Sequence, residues 1–232
     1  MQKEFIQAVH IDLLAFLFLF HFLVISNEKR NHLIGIALSV WTKVIGIFAL
    51  PFVLFEDKKI TVKKTVWVLG IPLSLGLFFY FMMVILPGED AYSGVKAFSG
   101  QWEWNSGFYS LLKNIIKVPA QVARKMTLGF FVGFYFLVFA LFWQRKIKLN
   151  GALLLVYSSL MFFSPVYNGW YSIWFLPFAL REKSLMGVLF ACASSFGYIG
   201  WGDNNPFHWR LAELRTHIFF LGLLIEKWKR PA

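Results

Sequence analysis

The chain is predicted to be all-α: a polytopic transmembrane bundle of about seven membrane segments, with a re-entrant or broken helix and an interfacial amphipathic helix. Three observations predict this class. Only 15% of the 232 residues are charged and the mean hydropathy is +0.61, whereas a soluble domain carries about a quarter charged residues. The apolar residues fall in blocks of roughly 18 to 23, enough helix to cross ~30 Å of hydrocarbon. Most connectors between the blocks are short and basic. Residues 1–232 therefore read as one transmembrane domain.

The blocks run at about 9–26, 33–55, 66–86, 126–143, 150–166, 170–181, 184–201 and 214–228. His10-Ile11-Asp12 opens the first. Asp12 is either a helix cap at the interface, favoured by the dipole, or a base or sugar-hydroxyl binder on the outer rim. No small-residue cleavage site follows Met-Gln-Lys-Glu, so no cleavable leader is expected.

Block 33–55 decides the topology. Thr42-Lys43 lies near its middle, and a lysine at the bilayer centre costs roughly 2.5–3.5 kcal/mol. Lys43 either holds an anionic phosphate or snorkels to a structural partner. If the block dips in and returns, loops 27–32 and 56–64 share one side. That arrangement puts fourteen of the 23 lysines and arginines inside and seven outside; a single crossing gives nine inside and twelve outside. The positive-inside rule favours the dip. Asp12, Glu89, Asp90, Glu103 and Asp203 then fall on the outer face, with Trp102 and Trp104.

The connector Pro87 to Lys125 is long and aromatic. Trp102, Trp104, Phe108 and Tyr109 could form an interfacial belt. Glu103, Asn105 and Ser106 interleave hydrogen-bonding groups with these rings, a mixture suited to carbohydrate. Leu111 to Arg124 reads as an interfacial amphipathic helix, with Lys113, Lys117 and Arg124 opposed to Leu111, Leu112, Ile115 and Ile116. Its basic face could grip a lipid phosphate or headgroups in general. Further on, Pro165 stops a helix and Gly169 permits a return. Trp170, Tyr171 and Trp174 follow, as the anchoring aromatics of an interfacial turn. The stretch Gly202 to Arg215 reads as a polar connector.

Other classes are excluded. The lone Cys192 rules out a disulfide framework and a cysteine metal site. A formal charge of +11 would suggest nucleic acid in a soluble protein; here it belongs to loops that orient spans. No cofactor or metal is expected.

Four signals in order, His10-Ile11-Asp12, Thr42-Lys43 with Leu50-Pro51, Trp104-Asn105-Ser106-Gly107-Phe108-Tyr109, and Ser164 to Pro177, resemble the second half of the GT-C membrane glycosyltransferases. The likeness is to bacterial polyprenyl-phosphate-dependent mannosyl- or hexosyltransferases. It implies a multi-pass protein of the bacterial inner membrane that takes a hexose, mannose in the first instance, from a polyprenyl-phosphate donor to an acceptor on the outer face. It implies Asp12 as the catalytic carboxylate of this chain. His10, Lys43, Trp102, Glu103, Asn105, Lys113, Lys117, Arg124, Trp170, Tyr171 and Trp174 would bind substrate. Members of that family are about twice as long and carry their principal acid nearer the N-terminus, so a separate N-terminal half or partner subunit is expected. The alternative is a transporter or flippase-like subunit binding an anionic lipid or solute, since broken helices suit both.

Overall fold

The computed structural model describes residues 14–15, 17–18, 29–42, 44–85, 102–103, 106–193 and 206–229. His10, Asp12, Lys43, Trp104 and Asn105 lie outside them, as does the side chain of Trp170. Secondary structure among the described residues is helical, with no strand. The chain divides into two units, Met1–Gln101 and Trp102–Ala232.

In the first unit, helix α1 (Lys29–Thr42) leads to a 3-10 turn (Val44–Phe48) and a short helix α2 (Leu50–Leu54). A straight helix would carry Gly46 about 10 Å beyond Ser39. Instead a Cβ at Gly46 would lie 2.8 Å from Ser39 Oγ and 3.0 Å from the Ile36 carbonyl oxygen. The chain therefore doubles back on α1 just after residue 42, and only glycine leaves room for that approach. Pro51 sits in the first turn of α2, where its missing N–H costs nothing. Ile36, Val40, Ala49, Leu50 and Phe52 are buried in the reversal.

The loop 55–61 is tied by an Asp57–Lys64 ion pair, and Lys64 Nζ also donates to the Lys59 carbonyl at 3.0 Å. Thr61 Oγ1 accepts the Lys64 amide at 3.3 Å and caps the next helix, α3 (Val62–Ile85). At 24 residues α3 is about 36 Å long. Val66, Leu69, Leu73, Leu77 and Phe81 stand exposed along it.

The second unit begins with a helical turn, α4 (Phe108–Ser110), that widens into a π turn (Leu111–Ile115). Helix α5 (Ala120–Trp143) and helix α6 (Leu149–Phe163) follow as a hairpin. Then come a 3-10 turn (Gly169–Trp174) and helices α7 (Leu176–Arg181), α8 (Leu185–Ala193) and α9 (Pro206–Lys229). Every residue from Gly151 to Ser159 is buried, so α6 is the central rod. Phe162 stacks on Phe220 at 4.1 Å, and Phe190 and Phe134 close on the same Phe220 ring at 5.6 and 6.2 Å. Tyr167 Oη donates to the Phe190 carbonyl at 3.1 Å, pinning the loop after α6 to α8.

Two expectations are corrected. Leu111 to Arg124 is not one amphipathic helix: it breaks at 116–119, with Lys117 at φ 66° and Pro119 leading into α5. Proline disfavours helical geometry in the residue before it, and that outweighs the basic spacing. The polar stretch from Pro206 to Arg215 is helical rather than a connector, because Pro206 starts α9. One described helix, Ala120–Trp143, is long and apolar enough to cross a membrane. Leu149–Phe163 is apolar but has 15 residues, about 22 Å, short of a full crossing.

Helix ends are closed in an unusual way. The non-glycine residues with positive φ among those described are Lys58, Lys117, Arg145 and Lys183, all basic. Arg145 and Lys183 terminate α5 and α7 in Schellman motifs. In these, Lys146 N donates to Leu141 O at 2.9 Å and Ser184 N to Ala179 O at 2.8 Å. Each left-handed residue costs about 1–2 kcal/mol against a helical one. A cation beside the carbonyl end of a helix offsets part of that.

Candidate functional site

A charged cluster forms where the chain enters α5. Gly107 eases it: a Cβ there would lie 3.0 Å from the Phe162 ring and 3.1 Å from its carbonyl oxygen, so a larger residue would push Phe162 aside by a few tenths of an ångström. Tyr109, Leu112 and Ala123 then pack as a small core with Phe108 and Val118 against it. Tyr109 is 1% exposed, yet its hydroxyl emerges to donate to Glu103 Oε1 at 2.5 Å. Lys113, four positions along the same face, reaches Glu103 Oε2 at 2.5 Å.

Arg124 arrives from the start of α5. Its Nη2 donates to the Trp102 carbonyl at 2.9 Å and to Glu103 Oε1 at 3.4 Å. The guanidinium carbon lies 5.2 Å from the Tyr109 ring centroid, within cation–π range. The Arg124 side chain is 9% exposed, against 32% for Glu103 and 36% for Lys113.

The electrostatics follow from this geometry. Burial pushes the Glu103 carboxyl up, but the hydrogen bonds from Lys113 and Tyr109 and the charges of Lys113 and Arg124 together hold it below its usual value. Burial and the bond to Glu103, with its charge, push the Tyr109 phenol up to about 12. Tyr109 is therefore a permanent donor near neutral pH, and the cluster holds two cations facing one carboxylate.

The structure brings Trp102, Glu103, Lys113 and Arg124 together. Lys117 stands exposed in its left-handed turn and shares none of these contacts. Tyr171 and Trp174 stack on each other at 4.5 Å and are buried, 6% and 5% exposed. Trp170 lies in the same 3-10 turn. Tyr109, read from the sequence as an interfacial ring, was not counted among the binding residues. Its spacing four residues before Lys113 was the available signal.

A second polar constellation ties α9 to α8. Glu226 Oε2 accepts from Ser184 Oγ at 3.2 Å and from the Met186 amide at 3.0 Å. Ser184 Oγ in turn accepts the Gly187 amide at 3.0 Å, capping α8. Next to it Lys227 Nζ bonds Glu182 Oε2 at 2.6 Å. Among the described residues no group of three or more histidine, cysteine, aspartate or glutamate side chains is placed to hold a metal.

No protein-family model, curated protein or solved structure matches the chain. The likeness to GT-C glycosyltransferases accordingly stands on the motifs quoted above.

Proposed function

We propose that this chain is the C-terminal part of a multi-pass GT-C-type glycosyltransferase of the bacterial cell membrane, handling a polyprenyl-phosphate hexose donor at the outer face. The observation that carries the reading is the convergence of Lys113 and Arg124, from two elements, at the start of a described helix long and apolar enough to cross a membrane. A lipid whose tail lies along α5 would present its phosphate to those cations. Trp102, 58% exposed, would offer its ring to the sugar. In transfer, the two cations would stabilise charge on the departing phosphate. Asp12, or a carboxylate supplied by an N-terminal half, would deprotonate the acceptor hydroxyl.

Binding of farnesyl phosphate to the protein in nanodiscs tests the site. Lys113→Ala and Arg124→Ala should each weaken it about 10- to 100-fold, the range for losing a hydrogen bond to a charged group. Lys117→Ala should leave it unchanged. Because Arg124 is packed, Arg124→Lys serves as the variant that keeps its charge. Wild-type affinity in both alanine variants would dismiss the reading.

The reversal at 36–46 supports the topology of the proposal. A segment that doubles back would enter and leave by one face, with loops 27–32 and 56–64 both cytoplasmic. Cysteines introduced at Lys29 and Lys59 should both resist an impermeant thiol reagent in intact cells; labelling of one alone means that 33–55 crosses. The same doubling back favours the second reading, a transporter-like subunit, whose broken helices hold anions near the midplane. Farnesyl phosphate binding that needs Lys43 but neither Lys113 nor Arg124 would select it.

A further inference from the structure

We propose that Glu103 is a built-in competitor for the phosphate: its carboxylate fills the anion site of Tyr109, Lys113 and Arg124, and a phosphate-bearing ligand binds by displacing it. This rests on the reading of Lys113 and Arg124 as the phosphate site. Three donors meet the two oxygens of Glu103, namely Tyr109 Oη and Lys113 Nζ at 2.5 Å and Arg124 Nη2 at 3.4 Å. A phosphate presents oxygens to the same kinds of donor and can take these bonds one for one.

The two sides of the contact differ in how firmly they are held. Tyr109, Leu112 and Ala123 form a buried core, 1%, 4% and 0% exposed, and fix the elements that carry the donors. Arg124 is further anchored by the Trp102 carbonyl. Glu103 stands in a segment outside any helix, and its side chain is about a third exposed. The donors can therefore stay while the carboxylate leaves.

Charge sets the preference among ligands. Two cations against Glu103 leave one positive charge. A phosphodiester carries a single negative charge and exchanges evenly with the carboxylate, which is tethered and so enjoys an effective concentration in the millimolar range. A phosphomonoester, at about −1.5 to −2 near pH 7, neutralises the site more fully. A tethered competitor lowers the affinity of every ligand for the site by the same factor, so the monoester keeps its advantage over the diester.

The test compares wild type, Glu103→Gln, Glu103→Asp and Lys113→Ala in nanodiscs, with farnesyl phosphate and inorganic phosphate as probes. Glu103→Gln should bind both probes at least 10-fold more tightly than wild type. Glu103→Asp, whose shorter arm withdraws the carboxylate, should fall between and covers a glutamine variant that fails to fold. An equal gain for both probes assigns the effect to the phosphate; a gain confined to farnesyl phosphate assigns the site to a lipid headgroup. If wild type binds and Lys113→Ala does not, but Glu103→Gln and Glu103→Asp bind no more tightly than wild type, Glu103 is a strut and the inference fails while the phosphate site stands. If neither wild type nor the Glu103 variants bind either probe, both fail.

Discussion

Replacing Phe220 with alanine should destabilise the second unit by about 3 kcal/mol, the low end of the range for a buried phenylalanine. Phe220 is 2% exposed and its ring meets Phe162, Phe190, Phe163 and Phe134, which belong to α5, α6 and α8. Removing it opens a cavity where four helices meet. The low end applies because the unfolded reference in a bilayer or micelle already keeps a phenyl ring in apolar surroundings. Lost packing, rather than transfer out of water, then sets the cost. Phe220→Leu, closer in volume, should cost less than about 1.5 kcal/mol. Equilibrium unfolding in mixed micelles measures both. An alanine variant within 1 kcal/mol of wild type would mean that α9 is not seated on α6 as described.

Glu226→Ala should cost about 1–3 kcal/mol, the penalty for leaving buried donors without their acceptor. It strips an oxygen from Ser184 Oγ and from the Met186 amide at once, both at the start of α8. A carboxylate there also answers the positive end of the helix dipole. Glu226→Gln keeps an acceptor oxygen but loses the charge, so it should recover roughly half of the loss. Thermal unfolding of the two variants separates the contributions. Equal losses in both would assign the whole effect to charge.

Much of the second unit was legible from apolar runs and punctuation. The block at 126–143 became α5 at Ala120–Trp143, and 150–166 became α6 at Leu149–Phe163. Pro165 and Gly169 marked the irregular return between α6 and α7. Lysine and arginine spacing misled at Leu111–Arg124, because a charge pattern describes a face only if the backbone stays helical through Lys117 and Pro119. Polarity misled at Pro206–Arg215, where the aspartate and asparagines before Pro206 were a helix-start signature hidden among charges.

The candidate site was legible in membership but not in pairing. Glu103, Lys113 and Arg124 were each nominated, yet Arg124 is 21 positions from Glu103 and meets it only because Tyr109 and Leu112 pack on Ala123 of α5. The bond from Glu226 to Ser184 spans 42 positions, and no local pattern encodes such a contact.

That long-range cap has a consequence for biosynthesis. The start of α8 leaves the ribosome 40 residues before the carboxylate that satisfies the Met186 amide. At 5–20 residues per second the delay is a few seconds. During it the Ser184 hydroxyl and the Met186 amide must be served by water or headgroups, so the adjoining end of α8 cannot yet settle into its final place. Helix α9 therefore acts as a closing bolt. A nascent chain halted between Ala193 and Glu226 should be open to cleavage around Arg181 and Lys183, and a chain extended until Glu226 clears the ribosome should lose that sensitivity.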